Sequence, residues 1–132
     1  MKLPLTYTLF TPAAVTSPKV CRDFVRSTLE TLGFGDVADT AALCTSELVT
    51  NVHQHVQGEV HLRTTIEAAG VRVAVYDRSP VPPTPRGRVG GDAECGRGLL
   101  LVASLADGFG VTRADGGSKG VWFWLAAGLK CP

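Results

Sequence analysis

Apolar residues along this chain recur at two different periods. From Ser17 to Leu32, Val20, Phe24, Val25 and Leu29 return at helical spacing, and Pro18 suits a first helical turn. Gly33 and Gly35 end that helix, with Phe34 between them as an anchor that packs back. A second helical run spans about 37–56, started by Asp39 or Thr40. Its buried stripe is Ala41, Cys44, Leu48 and Val52, and Gly58 lies just beyond its end. The period then changes to two. Val60, Leu62, Thr64 and Ile66 alternate through 59–68, and Val71, Val73 and Val75 through 70–77, with Ala-Ala-Gly as the hairpin turn between. "YTLFTP" (7–12) is a short strand ended by Pro12. "GLLLVASLAD" (98–107) is a short buried helix, and "FGVTR" (109–113) and "VWFWLAA" (121–127) are strands around a turn at 114–120.

Residues 78–96 break the pattern. Four prolines and four glycines in nineteen residues argue against helix or strand, and a loop of that length in a compact domain is usually functional or disordered. No internal repeat is visible. Helices and strands come in blocks and not in strict alternation, which predicts an α+β, two-layer α/β sandwich with helices on one face of a mixed, mostly antiparallel sheet.

Composition narrows the setting. The 132 residues fit one domain, 1–132, and with 45% hydrophobic and 19% charged residues they fit a globular one. Lys plus Arg number 13 against 12 Asp plus Glu, without a basic block, so no electrostatic footprint for direct nucleic-acid binding is expected. No apolar run reaches the roughly 20 residues that cross a bilayer. The start, "MKLPLTYTLFTP", is too broken by Pro4 and Pro12 for a secretory signal. Cytoplasmic residence without membrane contact is the expectation. Cys21, Cys44, Cys95 and Cys131 show neither C-x-x-C nor metal-site spacing, and read as reduced thiols, Cys21 and Cys44 as small core residues.

Three features carry possible chemistry. Glu47 and Asn51 stand four apart in "SELVTNVHQH", on one side of the second helix. A solvated helix face explains such a pair equally well. Asp77 ends a hydrophobic strand and enters the proline-rich loop, although it also suits the first position of a turn. Gly96-Arg97-Gly98 opens the helix expected from Leu99, where backbone N–H groups and the helix dipole favour an anion, although a tight loop-to-helix turn needs no ligand. Together the three fit a nucleotide. Asn51 offers an oxygen to Mg²⁺, Glu47 a proton acceptor, Asp77 an acceptor for a ring amine, and the loop a cover for phosphates.

The segments "SELVTNVHQH", "VAVYDRSP", "GRGLLLVASLAD" and "SKGVWFWL" resemble the N box, the two glycine boxes and the closing strand of the GHKL (Bergerat-fold) ATPases. The likeness covers nearly the whole chain and is nearest to the small anti-sigma-factor serine kinases of actinobacteria. It implies a Bergerat sandwich that binds ATP and Mg²⁺, with Glu47 as general base, Asn51 as metal ligand and Asp77 as reader of the adenine amine. Gly96, Arg97, Gly98 and Leu99 match the phosphate-covering segment, and His55 the place where relatives often carry a basic residue. His53 and His55 lie about 200° apart around a helix, which disfavours a metal site shared by that pair. The resemblance further implies a serine/threonine kinase whose partners are an anti-sigma-factor antagonist and a sigma factor, acting as a homodimer.

Two departures favour an alternative, a non-catalytic binding module of the same fold. Asp77 is followed by Arg78-Ser79-Pro80, where the first glycine box usually has glycine. The closing segment reads Ser118-Lys119-Gly120, where Gly-Lys-Thr is common, so a threonine hydroxyl of the adenine network is missing on that alignment. A hydrolase using water as nucleophile is a third, lesser reading.

Overall fold

The computed structural model describes residues 2–55, 58–77, 92–113 and 119–128. Its elements run β1 (Leu5–Pro12), α1 (Ser17–Thr31), α2 (Gly35–His55), β2 (Glu59–Glu67), β3 (Gly70–Asp77), α3 (Asp92–Leu105), β4 (Gly108–Arg113) and β5 (Lys119–Ala126). The five strands form one sheet in the order β1-β2-β3-β5-β4, with every described pairing antiparallel. The three helices cover one face, giving the expected α+β sandwich.

The alternation in β2 and β3 has its physical basis in that layering. Val60, Leu62, Thr64, Ile66, Val71, Val73 and Val75 have no exposed surface, and Phe123 joins them from β5. Above them α2 buries Ala41, Cys44, Leu48 and Val52, the stripe its period predicts, and adds Ala38, Thr45 and Val49. The stripe on α1 is rotated from expectation. Ser17, Cys21, Val25 and Leu29 are its buried residues, whereas Val20 is 49% exposed and Phe24 only half-buried. A polar Ser17 takes the first inward position because it works there. Its Oγ accepts the Ala14 N–H at 3.1 Å and donates to the Pro12 carbonyl, fastening β1 to α1.

The α1–α2 corner shows how the chain enforces a turn. Gly33 has φ 92°, a left-handed conformation that glycine adopts without penalty. The Phe34 N–H donates to the Leu29 carbonyl at 2.8 Å and the Gly33 N–H to Glu30 at 3.4 Å, the paired bonds of a Schellman C-cap. Phe34 is 1% exposed and Leu29 fully buried, so the apolar contact that accompanies this cap is part of the main core. Gly35, expected to end α1, instead begins α2, two residues earlier than the pattern suggested. Asp36 in its first turn complements the helix dipole there, the role expected of Asp39 or Thr40.

A larger correction concerns α3. The proline-rich stretch was expected to hold no helix as far as residue 96, yet α3 begins at Asp92. "DAE" (92–94) supplies two carboxylates and an alanine, which suit a first helical turn. Gly96, Arg97 and Gly98 therefore lie inside the helix and do not open it.

The outer sheet face has no helix layer among the described residues, and its aromatic side chains lie on its own backbone. A side chain at Gly110 would meet the Trp122 ring at 2.7 Å, one at Gly120 the Tyr76 ring at 2.5 Å, and one at Gly70 the Trp124 ring at 2.8 Å. Arg72 sits 4.4 Å over the Trp122 ring and Arg63 5.4 Å over Tyr76, cation–π contacts that add a further tier.

Two tests follow from this packing. Gly33→Ala should cost about 1–2 kcal/mol in urea unfolding, the penalty of left-handed backbone for an L-residue, and Phe34→Ala about 3–5 kcal/mol. Burial pushes the Cys21 thiol up to about 11, and burial together with the Glu47 carboxylate does the same to Cys44. Both thiols are held protonated, so their contribution is complete below their unfolded value near 9 and is lost as pH rises towards about 11. Unfolding free energy should decline across that window, and Cys21→Ala with Cys44→Ala should flatten the decline.

Candidate nucleotide site

Topology gathers the expected site residues at one end of the sheet. Helix α2 ends at His55, just before β2 starts at Glu59, and Val60 of β2 lies opposite Asp77 at the end of β3. At the same end β5 begins, with Gly120 opposite Tyr76. Helix α3 runs from this end to the other, where Gly108 of β4 lies opposite Trp124. The second half of α2, the end of β3 and the first half of α3 thus converge where the chain leaves Asp77 for residues 78–91.

Within this cluster Glu47 and Gly98 approach closely. A Cβ placed on Gly98 would lie 2.8 Å from Glu47 Oε2. Glycine leaves room for the carboxylate between α2 and α3, and any larger residue displaces it. Asn51, one turn further along α2, carries an Oδ1 atom that is buried and accepts no hydrogen bond from the described residues. Leaving such an acceptor unpaired costs about 1–3 kcal/mol, so its retention calls for a partner of another kind. Mg²⁺ is a hard cation that takes carboxamide oxygens and keeps several waters, and this oxygen fits one of its ligand positions. Among the described residues no group of three or more His, Cys, Asp or Glu side chains gathers around a metal position. An ion held here would need its remaining ligands from phosphates and water.

Asp77 is half-buried and shares the parity of Val73 and Val75, so it stands on the helix-facing side of β3. Gly120 lies on the opposite side, under the Tyr76 ring. A threonine there would point away from Asp77, so the missing hydroxyl does not belong to this site. The tight cover by Tyr76 accounts for the glycine. Arg78, Ser79 and Pro80, the other departure, lie outside the described residues.

The remaining expected residues are distributed as follows. Leu99 is half-buried and packs against the core, a structural position. Gly96 and Arg97 lie in the backbone of α3, and His55 is the last residue of α2; the side chains of Arg97 and His55 lie outside the description. The backbone of residues 96–98 is helical, so its N–H groups point along α3. At the start of this helix the N–H groups of Asp92, Ala93 and Glu94 have no intrahelical acceptor, a shift that the glycine pattern concealed. Sequence reading put Thr64 on the alternating face of β2 but passed over Thr45; the buried hydroxyls of both have no partner among the described residues. An isolated threonine within a regular apolar period gives no sign of that. Two concavities, about 410 Å³ beside Gly33, Phe34 and Ala127 and about 520 Å³ between β1 and α1, include none of Glu47, Asn51 and Asp77.

The model of the histidine kinase-like ATPase domain family matches residues 11–124, from the end of β1 into β5. The chain belongs to this histidine kinase-like ATPase domain family. Membership accords with the sandwich and implies ATP as the ligand class of the domain. No curated protein matches the chain significantly. No helix among the described residues of this ATPase domain is long and apolar enough to cross a membrane.

If Asn51 is kept for a ligand and not for the fold, then Asn51→Leu should raise the ligand-free unfolding free energy by about 1–3 kcal/mol, the unpaired-acceptor cost. Urea denaturation in the absence of nucleotide checks this. A destabilised variant would mean that Asn51 is a structural residue.

Proposed function

We propose that this ATPase domain is a cytoplasmic regulator of the anti-sigma-factor serine-kinase type. It binds Mg·ATP, transfers the γ-phosphoryl group to a serine of a small antagonist protein, and in its other state binds a sigma factor. The observation that supports this best is the pairing on α2: a carboxylate given room by a glycine of α3, and one turn away a buried carboxamide oxygen without a partner among the described residues.

The roles follow from the chemistry of the side chains. Asp77 accepts a hydrogen bond from the exocyclic amine of adenine and so orients the base. Asn51 Oδ1 serves as a metal ligand, and bound Mg²⁺ supplies charge neutralisation at the phosphates. Glu47 accepts the proton of the attacking serine hydroxyl as its oxygen bonds to the γ-phosphorus and the bond to the departing ADP oxygen breaks. The start of α3, with Gly96, Arg97, Gly98 and Leu99 behind it, and His55 at the end of α2 border the phosphates. Gly98 acts on the reaction by leaving the Glu47 carboxylate where it is.

Calorimetric titration with Mg·ATP, followed by single-turnover transfer to the antagonist, tests the assignment. Asp77→Asn should weaken binding about ten- to hundredfold, the equivalent of a hydrogen bond to a charged group. Glu47→Ala should bind within a few-fold of the parent yet transfer about 10²–10⁴ times more slowly. Gly98→Ala should fold normally and show the slow transfer, and the double substitution with Glu47→Ala should be no slower than Glu47→Ala alone. A parent protein that binds no ATP overturns the proposal. Transfer at the parental rate by Glu47→Ala removes the catalytic role of that residue.

A further inference from the structure

Strands β3, β4 and β5 meet the same rim of the sheet with three polar residues. Asp77 is the last residue of β3, Arg113 the last of β4 and Lys119 the first of β5. The registers place them in one row. Val60 of β2 lies opposite Asp77, and Arg113 lies opposite Lys119. Between these pairs, β3 and β5 run in step from Gly70 opposite Ala126 to Tyr76 opposite Gly120. One further step sets Lys119 beside Asp77, and opposed residues of antiparallel strands stand about 4.5–5.5 Å apart at Cα.

Lys119 and Asp77 share a face. Lys119 has the parity of Val121, Phe123 and Leu125, which are buried under the helices, and Asp77 has that of Val73 and Val75. Gly120 and the rings of Tyr76 and Trp122 belong to the other face. The residue of β5 that stands next to Asp77 on the helix side is therefore Lys119. Asp77 is half-buried and Lys119 exposed, and among the described residues neither side chain makes a hydrogen bond or an ion pair. A carboxylate only accepts hydrogen bonds and an ammonium only donates them. Side by side, the two match a ring that carries a donor next to an acceptor. The Watson–Crick edge of adenine is of this kind: its exocyclic amine donates and the adjacent N1 accepts. Guanine seated the same way turns an oxygen to the carboxylate and an N–H to the ammonium, so both contacts are mismatched.

We infer that Lys119 is the second base-reading residue of this ATPase domain. It donates to N1 of adenine beside the amine that Asp77 accepts, and so selects adenine over guanine nucleotides. Lys119 has this role only where Asp77 reads the adenine amine, as proposed above. An ammonium on a flexible stem suits the task, because its three donors let it bond the neighbouring carboxylate and the ring together. Its contact is with the base and not with the phosphates, and the two possibilities separate on the nucleotide side.

The test is calorimetric titration of the full chain with the magnesium complexes of ATP, GTP and 1-deaza-ATP, in which a C–H replaces N1. The parent should bind 1-deaza-ATP about tenfold more weakly than ATP, the lower end for a hydrogen bond to a charged group because Lys119 is open to water. Lys119→Met keeps the apolar stem and removes the ammonium. It should weaken ATP by about the same tenfold, leave 1-deaza-ATP within about twofold of the parent, and narrow the preference for ATP over GTP. Urea unfolding without nucleotide should be unchanged, since the side chain is exposed. Equal weakening of ATP and 1-deaza-ATP by Lys119→Met would place the ammonium at the phosphates and overturn the inference. So would a parent that binds ATP and 1-deaza-ATP alike, a result that needs no variant and leaves ATP binding and the role of Asp77 standing. A parent that binds no ATP overturns the proposed function itself, and the role of Lys119 with it.

Discussion

Helix α2 has to satisfy two environments at once, and the rest of the molecule is arranged around that demand. One stripe, from Ala38 through Ala41, Cys44 and Leu48 to Val52, is pressed into the core between α1 and the sheet. The adjacent stripe holds Glu47 and Asn51, a rotation of about 100° away. A helix that turns one polar pair away from its own core needs something else to cover that pair. Here α3 lies against Glu47, and a glycine at the contact leaves space for the carboxylate. The small residues of α2 bring its backbone near the sheet, while the missing Cβ on α3 brings that helix near α2. The placement of that polar pair and the packing of the core are thus decided by the same few ångströms.

The parts legible from sequence were those governed by local periodicity. The β2–β3 hairpin, the buried stripe of α2 and the Phe34 anchor follow from apolar spacing and one glycine, and a strand buried on one face leaves its side chains little choice. The chemical pair on α2 was equally legible, because residues four apart on a helix share a face in any fold. What escaped the sequence depends on contacts between distant segments. Whether Val20 or Cys21 faces inward on α1 is settled by β1 and α2. That Gly98 accommodates Glu47 involves residues far apart in the chain. The start of α3 was missed because glycine and proline counts describe a stretch on average, while "DAE" at its end favours a helix locally.

Gly120 illustrates how a motif can mislead when read without the faces of a sheet. As one position in a string of family residues it looked like a lost hydroxyl. In three dimensions it lies on the side of β5 opposite Asp77, where Tyr76 occupies the space a side chain would take. The same alternation that makes strands easy to recognise decides which positions can reach a ligand. A shift of one residue in an alignment exchanges a binding residue for one on the far side.

The rings lying over Gly110 and Gly120 constrain how this sequence can change through time. Each ring and its glycine occupy one volume between them, so neither position varies freely. A larger residue at Gly110 is accommodated only after Trp122 has become smaller, because the opposite order forces two side chains into the same space. Neutral drift across this face therefore has a direction. Descendants that differ at both positions will have passed through the intermediate with the smaller ring position, and through a period in which Arg72 had no ring beneath it.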